Sequence, residues 1–179
     1  MILGKLILMN RIIYLSFILF LLTSFGYREP NYCKIVDSIT KSYLVEVAVP
    51  RDLILNDYGG AMIGDIKSIS LSFLSHHALN VDEARILYVE MMEELLNRIN
   101  CHEKIRPHLH NFPFEEANIK LTISFINSEG RTVRDGHVAL MSIAKDHKLY
   151  FAAYNLNTED FYDLCEESYE EARRIVKGQ

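Results

Sequence analysis

The chain has 179 residues, with 19 Lys/Arg against 24 Asp/Glu, no Trp and three cysteines. Its length suits one domain around a single core, and 49% hydrophobic residues place it with folded rather than disordered chains. A formal charge of −5 with no basic stripe excludes nucleic acid and anionic membrane surfaces as partners.

Residues 1–26 read as an export signal. Lys5 and Arg11 are the only charges there, Ile12 to Phe25 is an almost unbroken apolar run, and Ser24-Phe25-Gly26 puts small residues at a cleavage site. A basic n-region, an apolar h-region and a small-x-small site are the parts of a secretory signal. Met9 offers a second start, because Met9-Asn10-Arg11 leads straight into the same run. A retained anchor is the alternative. A spanning helix needs about 20 apolar residues, and extending the run back to Leu6 buries Asn10 and Arg11. No cysteine directly follows the run, as a lipoprotein requires; Cys33 lies too far on. The expectation is a signal over 1–26 and a single α+β domain over 27–179, exported to the periplasm of a bacterium or secreted. If uncleaved, residues 6–25 hold the protein at the membrane. The part after Gly26 keeps 17 Lys/Arg and all 24 Asp/Glu.

An oxidising compartment permits disulfides, but Cys33, Cys101 and Cys165 are odd in number and widely spaced, and no CxxC occurs. At least one thiol has no intrachain partner, and three separate, partly buried thiols are expected rather than a disulfide framework.

In chain order, Arg28–Pro30 is a linker. Tyr32, Ile35, Val36, Ile39 and Tyr43 recur at helical spacing, which predicts a helix from Asn31 to about Glu46. Leu44–Val49 is β-branched-rich and reads as a possible strand ended by Pro50. Residues 51–65 hold Gly59, Gly60 and Gly64. They lack the GxxxxGK[ST] phosphate loop and read as a mobile loop or irregular hairpin. Ile69, Leu71 and Phe73 alternate with Ser68, Ser70 and Ser72, a strand with one buried face. Asn80 and Glu83 form a capping box for a helix over about 80–100, its stripe including Leu87, Tyr88, Met91, Leu95 and Ile99. Ile119, Leu121, Ile123 and Phe125 define a second strand. A third runs from His137 to Ala144, central because it is apolar on both faces, after a bulge at Asp135-Gly136. A turn at Asp146–Lys148 leads to a fourth over Leu149–Asn155. Thr158 then caps a last helix, with Glu159, Asp160 and Asp163 in its first turn and Arg173, Arg174 and Lys177 in its last, matching the helix dipole. The expected fold is α+β and two-layer. It has an antiparallel-dominated sheet of about four strands with helices packed on it, in the order α-β-α-β-β-β-α.

Cys101 to Phe114 carries three of the seven histidines. His108 and His110 alternate, and an imidazole pair suits Zn or another transition metal, with His102 or Cys101 as a third ligand. The spacing fits no standard metal pattern. A Pro-pinned segment whose rings fill the core edge is therefore the expected reading, with no cofactor. Ser75-His76-His77 places Ser, His and a nearby acid such as Asp82 together. Adjacent strand residues face opposite ways and no GxSxG elbow occurs, so a hydrolase ranks third. Glu166, Glu167, Glu170, Glu171 and Asp163 form an acidic run, read as a solvated face of the last helix. Tyr150, Tyr154, Tyr162 and Tyr169 could form a binding surface or sit at the core edge with wet hydroxyls.

The pieces IRPHLHNFPF, NIKLTISF, HVALMSIAKDHKLYFAAY and SYEEARRIVK, all within residues 105–177, resemble the C-terminal half of small exported proteins of chlamydia-like intracellular bacteria. The resemblance implies an exported bacterial domain and supplies no activity or site residues. With no nucleophile constellation, cofactor loop or strong metal pattern, the expected function is a non-enzymatic binding or envelope-associated domain. Its partner is a protein, not nucleic acid, and a metal-binding protein centred on His108 and His110 is the alternative.

Overall fold

Tyr32, Val36, Ile39, Thr40 and Tyr43 are the buried positions of helix α1, Asn31–Tyr43, the three- and four-residue spacing of an amphipathic helix. The computed structural model describes residues 30–127, 129–132, 136–144 and 148–178. The expected export signal and the bulge at Asp135 lie outside them, as does most of the Asp146–Lys148 turn. Among the described residues, no helix is long and apolar enough to cross a membrane.

Leu44–Val49 is not a strand. The helix widens into a π turn over Leu44–Ala48 and then tightens into a 3-10 turn over Val49–Arg51. Burial of Val47 and Ala48 in the core holds it. Pro50 sits at the start of the 3-10 turn, where its missing N–H costs nothing. Asp52, at φ 55°, turns the chain out.

The glycine-bearing stretch forms strand β1, Leu53–Ala61, which pairs antiparallel with β2, Ser68–Ser75. The register slips between Leu55 and Asp57, one extra residue that twists an edge strand. Gly60 is required by contact: a Cβ there would lie 2.2 Å from the Ser68 carbonyl oxygen. Helix α2, Val81–Cys101, starts at the expected capping box of Asn80 and Glu83. It carries the chain to β3, Ile119–Phe125, parallel to β2, as a crossover of this length allows.

The chain then meanders through β4, Leu140–Ile143, β5, Lys148–Asn155, and β6, Asp160–Ser168, each antiparallel to the last. The sheet is therefore six-stranded and mixed, in the spatial order β1 to β6. The element order is α-β-β-α-β-β-β-β-α. The α+β class stands, whereas the four-strand count and the expected order do not. The expected His137–Ala144 strand keeps only four residues; it is central in the sheet, and Leu140 on its outer side is half-buried.

The last helix, α3, spans only Tyr169–Lys177 and is capped by Ser168, whose hydroxyl accepts from Glu171 N. The expected Thr158 start fails because residues 160–168 pair with β5 from Asn155–Asp160 to Lys148–Ser168. That pairing covers an edge of the sheet that would otherwise stay open. The charges had suggested a helix dipole, but Asp160 and Asp163 belong to the strand.

The core lies between the helices and one face of the sheet. Ile69, Leu71, Phe73, Ile119, Leu121, Ile123, Phe125, Met141, Leu149 and Phe151 meet Tyr43, Val89, Met91, Met92, Leu95 and Ala172. Leu87, expected in this core, is half-buried at its rim. Two tyrosines tie helices to this core through their tips. Tyr43 donates to Met91 O at 2.8 Å. Tyr88 donates to Leu121 O at 2.9 Å and accepts from Ile143 N at 3.1 Å, at the end of the short β3–β4 ladder. Burial pushes both phenols well above their ordinary pKa, so both stay protonated donors.

Candidate functional site

The histidine segment is built as a clasp. His102 caps α2, Arg106–His108 makes one 3-10 turn with Pro107 in it, and Phe112-Pro113 is a cis peptide. Ile66 N donates to His108 O at 2.8 Å and His110 N donates to Ile66 O at 2.9 Å, a parallel bridge that carries Leu109 into the core. His108 and His110 flank Leu109, yet their rings take different partners. His108 packs on the Tyr32 ring with centroids 5.1 Å apart, and His110 Nδ1 lies 2.6 Å from Asp65 Oδ2. That hydrogen bond holds the Asp65 carboxyl below its ordinary pKa. Cys101 Sγ donates to Asn97 Oδ1 at 3.3 Å, and His102 Nδ1 is buried and makes no hydrogen bond among the described residues. Among the described residues, no three His, Cys, Asp or Glu side chains gather in a group that could hold a metal. No disulfide joins Cys33, Cys101 or Cys165.

The Ser75-His76-His77 segment does not assemble a nucleophile and base. Ser75 is fully buried, and its hydroxyl accepts from the His77 amide at 3.2 Å. His77 Nε2 does meet a carboxylate, Asp52 Oδ2 at 3.3 Å, but in an open surface hollow beside Leu79 and Leu87. Among the described residues that line the hollow, none carries a hydroxyl.

The acidic run is divided between strand and helix. Glu166 pairs with Lys148 at 2.8 Å and Glu171 with Arg174 at 2.6 Å. Glu167 points to the helix side, where it accepts from Arg85 Nε at 2.7 Å. Sequence reasoning passed over Arg85, although a charge inside an apolar helical stripe between Ala84 and Tyr88 is a readable signal.

An extended ordered surface is formed by the side of the sheet away from the helices. Odd-numbered residues of β2 and β3 are buried, while Ser70, Ser72, Thr122 and Ser124 are half-buried and Lys120 is exposed. Ladder register sets Asp57, Ser72, Thr122, Ser142, Tyr150 and Glu166 in one row across all six strands. The next row is Ile54, Leu74, Ser124, Leu140, Ala152 and Asp163. Tyr154 and Phe161 stack edge-on at 5.1 Å beside it. Where β3 and β4 end their pairing, a hollow of about 520 Å³ opens, lined by Glu116, Lys120, Thr122, Ser142 and Ile143. Of the expected tyrosine surface, Tyr150 and Tyr154 thus lie on this face, Tyr162 pairs with Ala153 on the helix side of β6, and Tyr169 is buried. Comparison with protein-family models, with curated proteins and with solved structures finds no match to this chain.

Proposed function

We propose that this chain is an exported, non-enzymatic binding domain that presents the outer face of its sheet to a protein partner beyond the membrane or at the envelope. The observation carrying this reading is the row Ser72, Thr122, Ser142, Tyr150 with its apolar neighbour row. Hydroxyls and tyrosines on a rigid surface supply adaptable hydrogen bonds and large contact area at small entropic cost. An apolar strip beside them supplies burial. Among the described residues the charges of this face, Asp57 on β1, Lys120 at one end of β3, and Lys148, Asp163 and Glu166 on β5 and β6, lie toward its margins. Its Lys148–Glu166 ion pair is exposed, so a partner need not desolvate a buried ion pair to dock. Export rests on the basic, apolar and small-residue parts of residues 1–26.

A photoreactive side chain placed at Thr122 or Ser142 in the full chain, expressed in an exporting cell, should cross-link one discrete protein. The same group at Glu90 or Glu103, both exposed and on the helix side or its connection, should not. Equal labelling from both sides, or none from either, removes the sheet face as the docking surface. N-terminal sequencing of the exported material should begin near Tyr27; an intact Met1 or Met9 in the membrane fraction establishes the anchor instead.

A further inference from the structure

Helices α2 and α3 and the segment Phe114–Glu116 line a second, open hollow, of about 360 Å³, which shares Glu116 with the hollow on the sheet face. Leu96, Phe114 and Tyr169 give it an apolar body, Arg173 and Lys177 line one side, and Glu93, Glu115 and Glu116 complete it. Tyr169 is 7% exposed, and its hydroxyl makes no hydrogen bond among the described residues. A buried donor without an acceptor is costly, and such groups are rare enough in folded proteins to require an explanation. Burial, and then the neighbouring charge of Glu93, push its pKa up against the opposing effect of Arg173, with Glu116 adding to the rise. The group therefore remains a proton donor.

The two cations are only partly used. Arg173 commits its Nε to Glu93 Oε1 at 2.6 Å, and Lys177 Nζ meets the same oxygen at 2.7 Å. The terminal nitrogens of Arg173 and two N–H groups of Lys177 remain for another acceptor. Three donors, two of them charged, thus converge beside an apolar wall. We propose that this hollow binds a small monocarboxylate with an apolar body, its carboxylate accepting from Tyr169, Arg173 and Lys177 and its body lying on Leu96 and Phe114. The lining sets Arg173 and Lys177 against Glu93, Glu115 and Glu116, which leaves no positive charge for a second negative group on the ligand. A free organic acid and the C-terminus of a short peptide share this chemistry.

The test is isothermal titration of the full-length protein with 3-phenylpropanoate and with the peptide Gly-Gly-Phe, each beside its carboxamide. At least one acid should bind saturably, at about 1 mM or tighter, and its carboxamide at least tenfold more weakly. Binding of the acid alone identifies a free small acid as the source, and binding of the peptide identifies a chain terminus. Tyr169→Phe should weaken that binding about tenfold while leaving the thermal midpoint equal or higher, because it removes a hydroxyl that has no partner. Arg173→Gln should weaken it at least as much. No binding of either acid, equal binding of the carboxamides, or binding indifferent to Tyr169→Phe overturns the assignment. A fall in thermal midpoint in unliganded Tyr169→Phe overturns it too, since the hydroxyl would then be serving the fold.

Discussion

Replacing Arg85 tests the most demanding electrostatic arrangement in the molecule. Arg85 is 8% exposed and donates Nε to Glu167, whose side chain is 9% exposed. Its NH1 meets Asp82 at 2.5 Å, and its guanidinium lies 5.8 Å from the Phe151 ring centre. The hydrogen bond to Glu167 outweighs burial, which acts the other way, and with Asp82 it holds the guanidinium pKa above its ordinary value. Arg85→Met leaves the Glu167 carboxylate buried and unpaired. Breaking a buried pair from one side costs about 3–5 kcal/mol. The bond to Asp82, which is 85% exposed, adds under about 1 kcal/mol. For a domain of this size each kcal/mol moves Tm by about 2–4 °C, so a fall of about 10 °C is expected. Arg85→Met combined with Glu167→Leu removes both charges and should return to within about 1 kcal/mol of the parent. Urea denaturation followed by circular dichroism on the parent, both single variants and the double variant reads the whole cycle. A cost under about 1 kcal/mol for Arg85→Met, or a double variant no better than the single, refutes the buried-pair account.

Leu95→Ala removes a fully buried side chain from the face of α2 that meets the sheet and should cost about 2–5 kcal/mol in the same assay. Gly60→Ala should destabilise by about 1–3 kcal/mol, the usual range for forced overpacking, because the new Cβ meets a backbone oxygen; Gly59→Ala, with nothing within 4 Å, is the matched control. Burial raises the Glu93 pKa, but the hydrogen bonds from Lys177 and Arg173 more than offset this and leave it below 4.5. A folded pKa below the unfolded one gives stability that is present above the unfolded value and lost as pH falls through the folded one. The parent should therefore lose stability below about pH 4.5 more steeply than Glu93→Gln, which a series of urea midpoints against pH will show.

The elements legible in the sequence were those whose pattern and caps agree. Asn80 and Glu83 announced α2, and the alternation of Ile69–Phe73 and Ile119–Phe125 announced two strands with one wet side. β1 was legible only as the irregular-hairpin alternative for residues 51–65, because an edge strand exposed along most of its length shows no alternation and its glycines answer a close approach to Ser68 that only pairing creates. The Asp160–Ser168 strand was masked by its acidic residues, which suit a helix N-terminus equally well. Glu167 discriminates between the two: it is inward-facing and paired with Arg85, 82 residues away in sequence, a partner that local reasoning cannot supply.

The binding surfaces were less legible than the fold, for a related reason. The wet side of one strand could be read from Ser70 and Ser72, but not its continuation across six strands, which depends on pairings between segments distant in sequence; Ser68, expected on the same side, is buried. His108 and His110 drew attention by composition and alternation, but His108 ends a 3-10 turn and the two rings go to Tyr32 and Asp65 respectively. Tyr169 was read only as one of four tyrosines, with Tyr150, Tyr154 and Tyr162, of a binding surface or core edge. Its distinction is a buried hydroxyl with no acceptor, set among groups from α2, α3 and the Phe114–Glu116 segment. Two kinds of surface are thus proposed: a broad polar sheet face for a macromolecule, and a small charged hollow for one acid group. The two hollows share Glu116, but Tyr169 lines the one between α2 and α3 and Thr122 the one on the sheet face, so Tyr169→Phe should weaken acid binding about tenfold and keep the cross-link from Thr122.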